Sequence, residues 1–149
     1  MYYTVGEMAK KVGIAPSALR FYDKEGLLPF VERSDSGIRM FRESDFEWLA
    51  LIGCLKKTGM PIKEIKTFID WCIEGDPTID RRLEMIKRQR EAVKVQIAEM
   101  QEHLNMLDYK QWYYETAKEA GTCEIHKDIA LEDIPEQYRE VYLRSYTMK

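Results

Sequence analysis

Apolar residues recur along this chain at two spacings, and the spacings predict different elements. Val5, Met8, Ala9 and Val12 fall three and four residues apart, the signature of one helix face. Thr4 stands before them and Glu7 follows three residues later, a capping-box spacing that places the helix start at Val5. Gly13 stops this helix. Ile14-Ala15-Pro16 then turns the chain, and Pro16 suits the first turn of a second helix that runs to about Lys24. Leu19 and either Phe21 or Tyr22 face inward there, and Gly26 ends it. Two short helices around a tight turn form a helix-turn-helix candidate. Residues 29–42 read instead as two short strands about the polar turn Asp35-Ser36-Gly37, a hairpin or wing. Ser44 is the expected cap of a third helix carrying Phe46, Leu49, Ile52 and Leu55. Thr58-Gly59-Met60-Pro61 breaks the chain, and a fourth helix over about 62–73 sets Ile62, Ile65, Phe68, Ile69 and Cys72 on one side.

Beyond Gly75-Asp76-Pro77 the spacing changes. From Thr78 to about Lys118 there is neither Gly nor Pro. Steps of four and three pass through Ile79, Leu83, Ile86, Arg90, Val93, Ile97, Met100, Leu104, Leu107, Gln111 and Tyr114, and nine of these eleven are apolar. That is the 3.5-residue period of a coiled coil. A lone helix cannot leave such a stripe in water, and no second long heptad segment exists to cover it. A second copy of the chain is the simplest partner. Residues 119–149 form a short tail, broken at Ala120-Gly121-Thr122-Cys123, with a last helix from Ile134-Pro135 that carries Tyr138, Val141, Tyr142 and Tyr146. The expected fold is mainly α: a winged helix-turn-helix head with a small β-hairpin wing over 1–76, a long antiparallel coiled-coil dimerisation helix over 77–118, and the tail, a candidate effector or interface segment.

Charge adds a gradient. The net charge is −3, unlike the basic balance usual in nucleic-acid binders. Residues 1–75 hold 11 basic and 11 acidic side chains, so the deficit lies wholly in the second half. A neutral head still binds DNA when its cations gather on one face. Three widely spaced cysteines, Cys54, Cys72 and Cys123, argue against a disulfide framework and suit a reducing compartment. With no signal-peptide pattern at Met1-Tyr2-Tyr3-Thr4 and no apolar run near the roughly 20 residues of a membrane span, a cytoplasmic protein without membrane contact is expected.

Four ordered stretches carry a family resemblance. They are Thr4-Val5-Gly6-Glu7-Met8-Ala9, Leu19-Arg20-Phe21-Tyr22-Asp23-Lys24-Glu25-Gly26-Leu27-Leu28, the wing from Arg33 to Phe41, and Thr58-Gly59-Met60-Pro61-Ile62. Together these resemble the MerR family of bacterial transcription regulators, closely over residues 2–75 and only in architecture beyond. The resemblance implies a homodimer on a two-fold symmetric promoter operator in double-stranded DNA. The dimer distorts the duplex so that RNA polymerase, an indirect partner, engages both its recognition elements. It implies no cofactor. It also implies a DNA-contact set of Thr4, Ala15, Pro16, Ser17, Arg20, Tyr22, Arg39, Arg42, Lys56 and Lys57. The second helix would enter the major groove. Small side chains at its start touch thymine methyls but read little by hydrogen bonding. Arg20 and Tyr22 would clamp phosphates; the alternatives are an ion pair to Asp23 for Arg20 and a core ring for Tyr22. Arg39 and Arg42 suit backbone or minor-groove contact. Lys56 and Lys57 suit outer phosphates, or simply the C-terminal dipole of their helix.

Three readings of a sensing function stay open. Cys54, followed by Lys56 and Lys57, resembles a thiol-sensing branch that answers electrophiles such as aldehydes; the alternative is a small buried hydrophobe. Cys123-x-x-His126, with Cys72 or His103, is a weak metal set. Trp71, Trp112, Tyr113, Tyr114, Tyr138 and Tyr142 form an aromatic set for an organic effector, or a core. The dimer interface is expected at Ile79, Leu83, Ile86, Val93, Ile97, Met100, Leu104 and Leu107. No nucleotide loop or convergent acid–base set is present, so no enzyme is expected. A coiled-coil scaffold would leave the helix-turn-helix idle.

Overall fold

The computed structural model describes residues 1–147, with side chains described through Ser145; Tyr146, predicted on the last helix's apolar face, lies outside the described side chains. Helix α1 (Val5–Val12) begins as its sequence dictates. The Thr4 hydroxyl accepts from the Glu7 amide at 3.3 Å, and Glu7 Oε2 accepts from the Thr4 amide at 2.8 Å, so two otherwise orphaned donors are satisfied. Gly13 ends the helix at φ 72°, where a side chain would strain the backbone. Helix α2 (Pro16–Lys24) follows with Pro in its first turn. Leu19 and Tyr22 face the core, and Phe21 turns outward.

A three-stranded antiparallel sheet forms from β1 (Tyr2–Tyr3), β2 (Glu32–Arg33) and β3 (Arg39–Arg42), in the order β1-β3-β2. Strand β1 was not foreseen, because two residues are too few to show an alternation. Tyr2 faces Arg42, Tyr3 faces Phe41, Glu32 faces Met40 and Arg33 faces Arg39. Helix α3 (Asp45–Lys57) corrects one expectation. Ser44 makes no side-chain cap; instead Asp45 Oδ2 accepts from the Arg42 amide at 2.7 Å and ties the helix start to β3. Helix α4 (Ile62–Glu74) completes the head. Met8, Leu19, Leu27, Phe41, Ile52, Ile65 and Ile69 are among its fully buried side chains, drawn from every helix of the head and from the wing strand. That mixed origin locks the helix-turn-helix and the wing to one core.

A short 3-10 turn, Asp76–Thr78, leads into α5 (Ile79–Ala120), 42 residues without interruption. Arg82 Nη2 donates to the Gly75 carbonyl at 3.0 Å, which also accepts from the Thr78 amide and hydroxyl, so the start of α5 is tied to the end of α4. Met85 joins the head's core, and Gln89 Nε2 donates to the Thr58 carbonyl at 2.9 Å. The first compact unit therefore runs Met1–Val93, past the boundary expected at 76. The second unit, Lys94–Lys149, contains the rest of α5, 3-10 turns at Cys123–His126 and Leu131–Asp133, and α6 (Glu136–Thr147). The tail is not a loose end. Tyr109 contacts the rings of Trp112, Tyr138 and Tyr142 at centroid distances of 6.1, 6.3 and 6.3 Å, and Ile134 is fully buried. Among the described residues, no helix is long and apolar enough to cross a membrane.

Candidate nucleic-acid interface

Helix α2 divides its side chains between two tasks. Leu19 and Tyr22 enter the core, while Ala15, Pro16, Ser17 and Arg20 are exposed. Ala15 supplies no side-chain cap, so the helix start keeps unsatisfied amide donors, a feature suited to an anionic partner. Arg20 has no ion pair or hydrogen bond among the described residues. The alternative pairing of Arg20 with Asp23 does not form, because Asp23 is held elsewhere. Tyr22 is 3 % exposed, so its ring packs as a core side chain. Lys56 Nζ lies 5.1 Å from that ring's centroid and 5.9 Å from Phe21's, a cation–π position that holds α3 over α2. Lys57 is exposed beside it.

The wing is laced with ion pairs. Asp23 Oδ2 accepts from Arg33 Nη2 at 2.6 Å and from Arg39 Nε at 2.7 Å. Arg42 pairs with Glu32 and donates to the Tyr2 hydroxyl at 3.2 Å. Arg39 and Arg42, both predicted as DNA contacts, are thus held within the protein. The cause is geometric: the antiparallel register brings wing arginines beside acids on β2 and at the end of α2. The Glu32 carboxyl is held below the usual carboxylate range, first by the Tyr2 hydroxyl and then by Arg42. Lys11 pairs with Glu43 at 2.8 Å, and the Tyr3 hydroxyl donates to Glu43 at 2.6 Å. Both contacts lower the Glu43 pKa, Lys11 first. Thr4 is exposed, but its hydroxyl is engaged in the capping box.

Sequence reasoning passed over Asp23 and Arg33. One signal was available. An acid in the last turn of a helix opposes the helix dipole, at a cost of about 0.3–1 kcal/mol, so its position calls for a cationic partner from another element.

Cys54 and Cys123 are exposed and Cys72 is half-buried. His126 is buried, stacked on Tyr113 at 4.1 Å, with Nε2 3.0 Å from the Tyr113 carbonyl and 2.9 Å from the Thr116 hydroxyl. Among the described residues no three His, Cys, Asp or Glu side chains gather as a metal site, so Cys123 and His126 are not joined by Cys72 or His103. Trp112, Tyr113, Tyr138 and Tyr142 pack on one another or on Tyr109, as core rings do. On α5, Ile79, Leu83, Ile86, Ile97, Met100, Leu104 and Leu107 are exposed and Val93 is half-buried.

Known proteins resemble this chain in sequence and fold. Residues 3–70 match the family described as MerR HTH family regulatory protein, and residues 46–109 match the one described as MerR, DNA binding. An HTH-type transcriptional regulator of Haemophilus influenzae is 47 % identical over 136 residues, covering 91 % of this chain and 98 % of that protein. Among solved structures, HiNmlR, a MerR family regulator lacking the sensor domain and bound to promoter DNA, aligns at 47 % identity and a TM-score of 0.74, covering 84 % of this chain and 99 % of that one. A MerR family regulator from Bacillus thuringiensis aligns at 44 % identity and a TM-score of 0.64, covering 79 % of this chain and 99 % of that one.

Proposed function

The chain belongs to the MerR family of transcription regulators, and from that premise we propose that it acts as a cytoplasmic homodimer on a two-fold symmetric promoter operator. The observation that carries this reading is the divided α2. Ala15, Pro16, Ser17 and Arg20 are exposed together, and Arg20 has no ion pair or hydrogen bond among the described residues. In a major groove, Arg20 and the helix's first amides meet phosphates, and the small side chains meet thymine methyls. Lys56 and Lys57 reach flanking phosphates. Arg42 joins through the guanidinium edge not facing Glu32. Few of these groups read bases, so specificity falls largely to the shape and deformability of the duplex. Distortion of that duplex is the regulatory output, with RNA polymerase responding to the altered DNA. No catalytic role is proposed.

The exposed stripe on α5 supports the dimer, since the second copy covers it and two recognition helices then face two half-sites. Cys54, exposed on α3, is the sensing residue of this account: its thiol is open to an electrophile. The test is promoter-duplex binding by fluorescence anisotropy over a salt series. Wild type binds with affinity that falls steeply with salt, and Arg20→Ala lowers the log–log slope by about one while leaving the fold intact. Wild-type affinity and slope in Arg20→Ala would overturn the contact assignment.

A further inference from the structure

We propose that Asp23 positions the wing against the recognition helix, and that Arg33, steadied through Asp23 and Arg39, makes the wing's phosphate contact. The inference rests on the DNA-binding reading above. Arg33 and Arg39 are directly opposed across β2 and β3. Like charges in that position repel and would splay the hairpin beside its turn. Asp23 prevents this from outside the sheet. Its Oδ2 lies 2.6 Å from Arg33 Nη2, 2.6 Å from Arg39 Nη2 and 2.7 Å from Arg39 Nε. The two arginines therefore converge on a single carboxylate oxygen, and that oxygen belongs to the last turn of the recognition helix. An acid there gains nothing from its own helix dipole. Its partners are the wing.

Charge and exposure separate the roles of the two arginines. Two guanidiniums and one carboxylate leave one positive charge beside the wing's turn. The Arg39 side chain is 24 % exposed and grips Asp23 through two nitrogens, whereas Arg33 is 49 % exposed and binds Asp23 through one. Arg33 Nη1 also donates to the Gly37 carbonyl at 3.1 Å, which ties the same side chain to the wing's tip. Arg39 is thus the inner strut and Arg33 the outward cation. Of the two wing arginines that the sequence named, Arg42 keeps its contact in this reading, and Arg33 takes the place of Arg39.

The test is a binding cycle with full-length protein on promoter duplex, read as affinity and as salt slope. Arg33→Ala lowers the slope by about one, as loss of a phosphate contact does. Asp23→Asn weakens binding about tenfold at unchanged slope, because it misplaces a contact rather than removing one. On the Arg33→Ala background Asp23→Asn costs less than about twofold, the non-additivity of residues acting through one another. Arg39→Lys keeps the charge but loses the two-nitrogen grip; it weakens binding about threefold at unchanged slope and keeps the variant set informative if Asp23→Asn folds poorly. Additive losses, wild-type binding by both Asp23→Asn and Arg39→Lys, or an unchanged slope in Arg33→Ala would overturn the proposal. If wild type itself shows no salt-dependent duplex binding, the DNA reading fails first. If Arg20→Ala behaves as expected and the Asp23 series does not, this inference alone fails.

Discussion

Truncating Leu104 and Leu107 to alanine probes the dimer with little harm to the helix, because alanine is the best helix former. Each change removes three carbons, worth about 2.4 kcal/mol if wholly transferred from water to an interface. Within one chain Leu104 is 49 % exposed and Leu107 65 % exposed. Only that exposed share remains for a partner to cover. Scaled so, the two truncations remove about 1.2 and 1.6 kcal/mol of association energy per protomer. Both copies carry the changes, so the dimer loses roughly 5 kcal/mol, or three to four orders of magnitude in its dissociation constant. Sedimentation equilibrium from nanomolar to tens of micromolar concentration reads this directly. Far-ultraviolet circular dichroism checks that the helix persists. A double variant that dimerises as tightly as wild type would refute the claim that this stripe is the interface.

Three further outcomes follow from local chemistry. Thr4→Ala removes the capping-box acceptor at α1 and costs about 1 kcal/mol, a fall of roughly 2–4 °C in melting temperature; an unchanged melt would contradict it. Glu7, Glu32 and Glu43 are all held below their ordinary value of 4.5 by hydrogen bonds or ion pairs. Such groups add stability that is fully present above that value and is lost as pH falls through their folded-state values, so the melting temperature declines below about pH 4.5 and Glu43→Gln declines less steeply; a melting temperature that stays level down to pH 3 would count against these pairs. Promoter response to an aldehyde in cells carrying Cys54→Ser is abolished if Cys54 is the sensing thiol, and a wild-type response removes it from that role.

The helices were legible in the sequence because their signals are local. The Thr4–Glu7 box, Gly13, Pro16 and the 3.5-residue stripe each act within a turn or two of chain. What escaped was non-local. Strand β1 forms only because β3 offers Tyr2 and Tyr3 a neighbour about 40 residues away. Ser44 has the right chemistry for a cap, yet Asp45 is the residue that reaches the β3 backbone. Arg39 and Arg42 have the charge for DNA contact, but which acids face them depends on hairpin register. Met85 and Gln89 fall within the long helix by pattern and join the head by packing. The sequence left the aromatics of α5 and the tail open between an effector set and a core, and their mutual contacts are visible only once α6 lies along α5 within the second unit.

Selection from a randomised pool of duplexes, with the chain count on each selected duplex measured by mass, tests the central claim most directly. The account predicts an inverted repeat in the selected sequences, two chains per duplex, and loss of both when the half-sites are moved apart by half a helical turn. Selected sequences with no two-fold symmetry, or one chain bound to a single half-site as tightly as to the whole, would contradict it.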